Sequence, residues 1–148
     1  MQFIRTEKVA TVNNGVVTAL KTGTTTITVT TDDGGFTSSC KVNVTNPVRG
    51  VALNDTTMTI YNGTSKQLFA TVTPLDADNP SLIWSSSDDT IATVDENGVV
   101  TAGHSTGSAV ITVRTVDGGY TANCTVKTGK KVTDVYISDS QVLLVPGL

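Results

Sequence analysis

The sequence predicts an all-β protein built around a small antiparallel β-sandwich, and three observations carry that reading. Charged residues make up 16 % and aromatics 5 % of the 148-residue chain, while Thr, Val, Gly and Ser crowd it, a composition that suits pleated strands and tight turns. Short alternating runs are separated by Asn-Gly, Asp-Gly-Gly and Pro signals, with no helical periodicity. The chain also repeats itself: TTDDGGFTSSCKV, from Thr30 to Val42, returns as RTVDGGYTANCTV, from Arg114 to Val126, 84 positions on.

Further matches set the repeating unit. VATVNNGVVTA from Val9 aligns with IATVDENGVVTA from Ile91, TITVTTDDGG from Thr26 with VITVRTVDGG from Val110, and VRGVALND from Val48 with VTDVYISD from Val132. A unit of about 84 residues follows. Residues 1–45 read as the rear half of one copy, 46–128 as a complete copy and 129–148 as the first strands of another. The chain is therefore expected to begin and end in mid-domain.

Within the complete copy the elements follow in order. Val51 to Leu53 and Met58 to Tyr61 lead to the Asn62-Gly63 turn. Gln67 to Thr73 puts Leu68, Ala70 and Val72 on one face and stops at Pro74, before the loop PLDADNPS. Leu82 to Ser85 carries the only tryptophan, and Ile91 to Val94 pairs with Val99 to Ala102 around Asn97-Gly98. The last hairpin, Ala109 to Val116 with Tyr120 to Lys127, closes on Asp117-Gly118-Gly119, where positive φ favours glycine. The alternation assigns Trp84, Leu68, Val72, Ile111, Val113, Cys124 and Val126 to the core, with Trp84 in its middle. Cys40 and Cys124 occupy matching places in successive copies, about one domain apart and beyond the roughly 7 Å that a disulfide allows between α-carbons. Each shares an alternating face with apolar neighbours, so both are expected to be separate buried thiols.

Several functions are disfavoured. A net charge of −3, with Lys130-Lys131 the only basic pair, gives no electrostatic footprint for nucleic acid or an anionic membrane. No run approaches the ~20 apolar residues of a membrane-spanning helix. Without a predicted helix, no Gly-rich loop can open one to hold phosphate. The sole histidine, His104, lies in the turn AGHSTGSA where the first copy has Lys21, an exchange that suits a surface loop better than a catalytic base. Asp76 and Asp78 in PLDADNP, and Asp88 and Asp89 in SSSDDT, are candidate Ca²⁺ ligands, because hard cations take clustered loop carboxylates. Turn capping by Asp is the simpler reading of the same residues. Tyr61, Tyr120 and Tyr136 are the only tyrosines that could stack on a sugar, and Tyr120 replaces Phe36, which favours packing. No catalytic residue and no cofactor is assigned.

The run KQLFATVTPLDADNPSLIWSSSDDTIATVDENGVVTAGHSTGSAVITVRTVDGGYTANCTV resembles the group 2 bacterial immunoglobulin-like domain. Thr71-Val72-Thr73-Pro74, Trp84-Ser85-Ser86, Ala92-Thr93-Val94-Asp95 and Gly98-Val99-Val100-Thr101-Ala102 carry the likeness, in order and at family spacing. The resemblance implies a non-enzymatic immunoglobulin-like sandwich in tandem repeats, at the bacterial cell surface or in a phage virion. Partners would be neighbouring repeats or other chains of the same assembly, with cell-surface carbohydrate a further candidate. A carbohydrate-binding domain, or an accessory module of a secreted glycan-degrading enzyme, is the alternative.

Overall fold

The computed structural model describes residues 2–4, 8–138 and 147, with backbone alone for 2–4. Among the described residues the chain is all strand and turn. It divides into two compact units: Met1–Ala52 with Ala70–Ile83 and Arg114–Ala122, and Leu53–Phe69 with Trp84–Val113 and Asn123–Leu148.

The first unit opens with β1 (Gln2–Ile4), β2 (Ala10–Asn13), β3 (Val16–Ala19), β4 (Gly23–Thr30) and β5 (Thr37–Val44). β2 and β3 form a hairpin through Asn14 (φ 47°) and Gly15 (φ 79°), the double positive φ that an Asn-Gly turn supplies. β4 and β5 pair antiparallel from Gly23 opposite Val44 to Thr30 opposite Thr37, and β1 lies on the other edge of β4. β6 (Gly50–Leu53) and β9 (Ala70–Thr73) make a two-stranded sheet, beside which Val48, Val72 and Ala77 form a small buried cluster.

The second unit contains β7 (Thr57–Tyr61), β8 (Ser65–Gln67), β11 (Ala92–Val94), β12 (Val99–Ala102) and, from Trp84 on, β10 (Leu82–Ser86). Most of β13 (Gly107–Thr115) and β14 (Thr121–Gly129) also belongs to it. One sheet runs β10-β13-β14-β7 and the other β11-β12-β8. Alternation buries Ala109, Ile111 and Val113 on β13, and Cys124 and Val126 on β14. Together with Met58, Ile60, Leu68, Ala92, Val100 and Ala102, most of these close the core between two sheets. This is the immunoglobulin-like sandwich. β14 and β7 run parallel, from Thr125 opposite Thr57 to Gly129 opposite Tyr61. Two strands far apart in the chain have no tight turn to force them antiparallel.

Aligned by sequence, β2 to β5 correspond to β11 to β14. Among the described residues no strand lies beside β5 where β7 lies on β14, or beside β3 where β8 lies on β12. Exposure follows directly: Val17 is 46 % exposed and Val100, its counterpart, 0 %.

Two expectations need correction. Cys40 is exposed although Cys124 is fully buried, because among the described residues no core cluster covers the face of β5 as one covers β14. Trp84 is only partly buried, packed against the core from its flank, since β10 is an edge strand. Val72 is buried as expected, in the small cluster with Val48 and Ala77. The expected first strands at 129–148 show no strand over 131–138, and 139–146 and 148 lie outside the described residues. Val132, Val135, Tyr136 and Ile137 are all exposed.

Candidate functional site: carboxylates that hold turns and linker

The repeated Asp-Gly-Gly stretch has the same hydrogen bonds in both copies. Thr115 N–H donates to the Tyr120 carbonyl (2.9 Å), Thr115 Oγ1 donates to the Asp117 carbonyl (2.6 Å), and Tyr120 N–H donates to Thr115 Oγ1 (2.9 Å). In the first copy Thr31, Asp33 and Phe36 make the corresponding bonds at 2.9, 2.7 and 3.0 Å. The central glycines take φ of 77° and 63°, then 75° and 65°, and each aromatic ring covers the first of them. A threonine hydroxyl thus ties both sides of the turn, and glycine is required beneath the ring.

Asp117 does a further job. Its Oδ2 accepts the Val48 N–H at 2.9 Å, anchoring the segment that enters β6. Asp78 acts alike two residues earlier in the linker, where its Oδ2 accepts the Asn46 N–H (2.7 Å) and its own N–H donates to the Asn46 carbonyl (2.9 Å). Asn46 Nδ2 donates to the Asp76 carbonyl at 3.2 Å. The loop PLDADNPS and the linker are therefore stitched together within the first unit. Its Asp78 carboxylate, a candidate Ca²⁺ ligand, is already engaged by a backbone donor.

The second acidic pair belongs to the other unit. Asp88 Oδ1 accepts the Thr90 hydroxyl (2.6 Å) and the Thr90 N–H (2.9 Å). Those bonds, the hydroxyl's first, hold its carboxyl below the usual carboxylate range, because they favour the charged form. Asp95 caps the Asn97-Gly98 turn in the same manner, accepting Asn97 N–H at 2.9 Å and Val99 N–H at 2.8 Å. Among the described residues no cluster of three or more His, Cys, Asp or Glu could hold a metal ion. His104 is exposed, and its backbone carbonyl accepts a hydrogen bond from Asn62 Nδ2 (2.7 Å). Tyr61 and Tyr136 are exposed at 47 % and 85 %, on separate elements, while Tyr120 lies against Gly118. Burial raises the Cys124 thiol pKa, and the Asp55 carboxylate raises it further. The clamps of Asp78 and Asp117 were not legible beforehand; only the position of both residues in loops hinted at them.

Residues 47–126 match the family model of the bacterial Ig-like domain (group 2). The chain belongs to this family. Domains of this bacterial Ig-like group are non-catalytic modules. Residues 3–44 match a second model, the hyaluronate lyase N-terminal beta-sheet domain. The chain is similar to an Ig-like virion protein of Serratia phage KSP90, 34 % identical over 80 % of this chain and 48 % of that protein. It is also similar to an alpha-L-arabinofuranosidase of Bifidobacterium longum, 40 % identical over 51 % of this chain and 7 % of the enzyme. Domains 4–9 of the surface layer protein SbsC share the fold, with a TM-score of 0.52 at 22 % identity over 88 % of this chain and 22 % of that one. The bacterial Ig-like chain spans about half or less of the length of the curated relatives it matches.

Proposed function

We propose that this chain is a structural and adhesive Ig-like module of an extracellular assembly, a bacterial cell surface or a phage virion, in which it spaces or decorates. The observation that carries the reading is the likeness to the Ig-like virion protein over four-fifths of this chain. The side chains support it, since the carboxylates whose partners are known hold turns and the linker instead of converging in a cleft. Neighbouring repeats or other chains of the assembly are its partners.

A second reading rests on the match of residues 3–44 to a lyase β-sheet domain, together with the arabinofuranosidase relative. In it the module accompanies a secreted glycan-degrading enzyme, or binds carbohydrate itself. One pair of measurements separates the two readings. Antibody against this chain is used to label purified particles and the surface of intact cells, and the recombinant chain is applied to a glycan array. Labelling of particles or cells without glycan binding is expected. Saturable glycan binding lost on Tyr61→Ala, or recovery of the chain only as part of a secreted enzyme, overturns the first reading.

A further inference from the structure

Among the described strands of the second unit β7 comes first in the chain and β14 last, and the two lie side by side in parallel. The pairing has a mechanical consequence. Thr57, where the chain enters β7, lies opposite Thr125, whereas Gly129, where it leaves β14, lies opposite Tyr61. Tension along the chain therefore pulls on opposite ends of one ladder, so that its hydrogen bonds lie across the load and share it. In a hairpin both chain ends emerge at the same end of the ladder, and tension meets the bonds one at a time.

Hydrogen bonds close this ladder at both ends. Thr125 N–H donates to the Thr56 carbonyl (2.9 Å), and Asn62 N–H donates to the Gly129 carbonyl (3.0 Å). The exit end is fastened further: Asn62 Nδ2 donates to the His104 carbonyl (2.7 Å) and the Thr128 hydroxyl to the Ser105 carbonyl (2.8 Å), both in the turn between β12 and β13. Met58 and Ile60 on β7, with Val126 and Thr128 on β14, are buried, so sliding one strand past the other must draw side chains out of a packed core. N–H groups alternate in direction along a strand. The Lys127 N–H therefore points to β7 as that of Thr125 does, while the Thr59 N–H points away from β14, opposite to that of Asn62.

We propose that the complete copy is a tension-bearing module, in which the parallel β7–β14 ladder is the element that resists extension of the chain. Resistance of this kind is set by the barrier to unfolding under load and by the direction of that load. The property goes beyond spacing or decoration and holds whichever assembly carries the chain. The clamps of Asp78 and Asp117 act on Asn46 and Val48, before β7, and are not part of the ladder.

Single-molecule force spectroscopy of the full chain tests it in two pulling geometries. Handles at the two chain ends load the ladder in shear; handles at residue 61, through Tyr61→Cys in a Cys40→Ser background, and at the C-terminal end open it from the Tyr61–Gly129 end. Pulling by the chain ends should give a rupture that lengthens the chain by about 240 Å, the extended span of Thr57–Gly129 less the ladder itself. Its force should exceed that of the second geometry by about threefold or more, since five paired positions share the load. Lys127→Pro, which deletes a ladder donor, should lower the shear force, while Thr59→Pro and Asp117→Ala should leave it. Equal forces in the two geometries overturn the proposal, and this comparison decides even where Lys127→Pro does not fold. So does a folded Lys127→Pro that ruptures at the native force, or an Asp117→Ala that loses the peak, which would place the resistance in the linker clamp.

Discussion

Gly98 lies against the indole of Trp84: a Cβ at Gly98 would fall 2.8 Å from Trp84 Cζ2 and 2.7 Å from the Leu68 carbonyl oxygen. Gly98 also has φ of 81°, and its carbonyl accepts the Leu68 N–H at 2.9 Å. Turn, edge tryptophan and core leucine are thus set by one residue. Gly98→Ala should cost about 2–4 kcal/mol, from left-handed strain plus a clash that meets backbone on one side. Trp84→Ala should cost about 3 kcal/mol, the low end for a tryptophan because the ring is only partly buried. Urea unfolding followed by circular dichroism checks both, and a neutral Gly98→Ala would contradict the packing described.

Removal of the Asp117 carboxylate should leave the Val48 N–H, beside a nearly buried side chain, without its acceptor. Asp117→Ala is expected to destabilise by about 1–3 kcal/mol, while Asp117→Asn, which retains an acceptor oxygen, loses less. Amide hydrogen exchange at Val48 is the direct measurement. Unchanged protection in Asp117→Ala would refute the clamp.

The two thiols should behave differently. Cys40 is exposed and should react readily with a thiol reagent in the native monomer, while Cys124 reacts only after unfolding. Burial disfavours the Cys124 thiolate and raises its pKa. The associated stability is full below the thiol's unfolded pKa and declines as pH rises through the raised folded value. Mass spectrometry of labelled peptides over time distinguishes the sites, and equal rates would count against the burial contrast.

Asp88 should titrate below an ordinary aspartate. Its folded pKa is depressed, so the stabilisation is present above the unfolded value and is lost as pH falls through the folded one, at the acid end of the carboxylate range. Thr90→Val removes the hydroxyl donor, the largest cause, and should move the pKa back up. Carboxyl-carbon NMR titration of both proteins reads the shift. Identical curves would show that the hydroxyl has no hold on the carboxylate.

The sequence by itself determined what is local. Period-two alternation marks the inward faces of β13 and β14, so that Ile111, Val113, Cys124 and Val126 are identifiable as buried. Asn-Gly and Asp-Gly-Gly mark the turns because few other residues tolerate positive φ, and the two copies of Thr-x-Asp-Gly-Gly-aromatic build the same hydrogen bonds. Only the tertiary structure decided what depends on strands remote in sequence. Cys40 and Cys124 share a motif, yet one is exposed and the other buried, because burial belongs to the opposing layer and not to the strand. Trp84 reads as a core centre and sits at an edge, because sheet order is not encoded in alternation. The parallel β7–β14 pair and the short β1 beside β4 escaped the pattern for the same reason. Asp78 and Asp117 read as loop acids, one of them a metal-ligand candidate; their partners, Asn46 and Val48, lie 32 and 69 residues away, and only chain folding brings a backbone donor to each carboxylate.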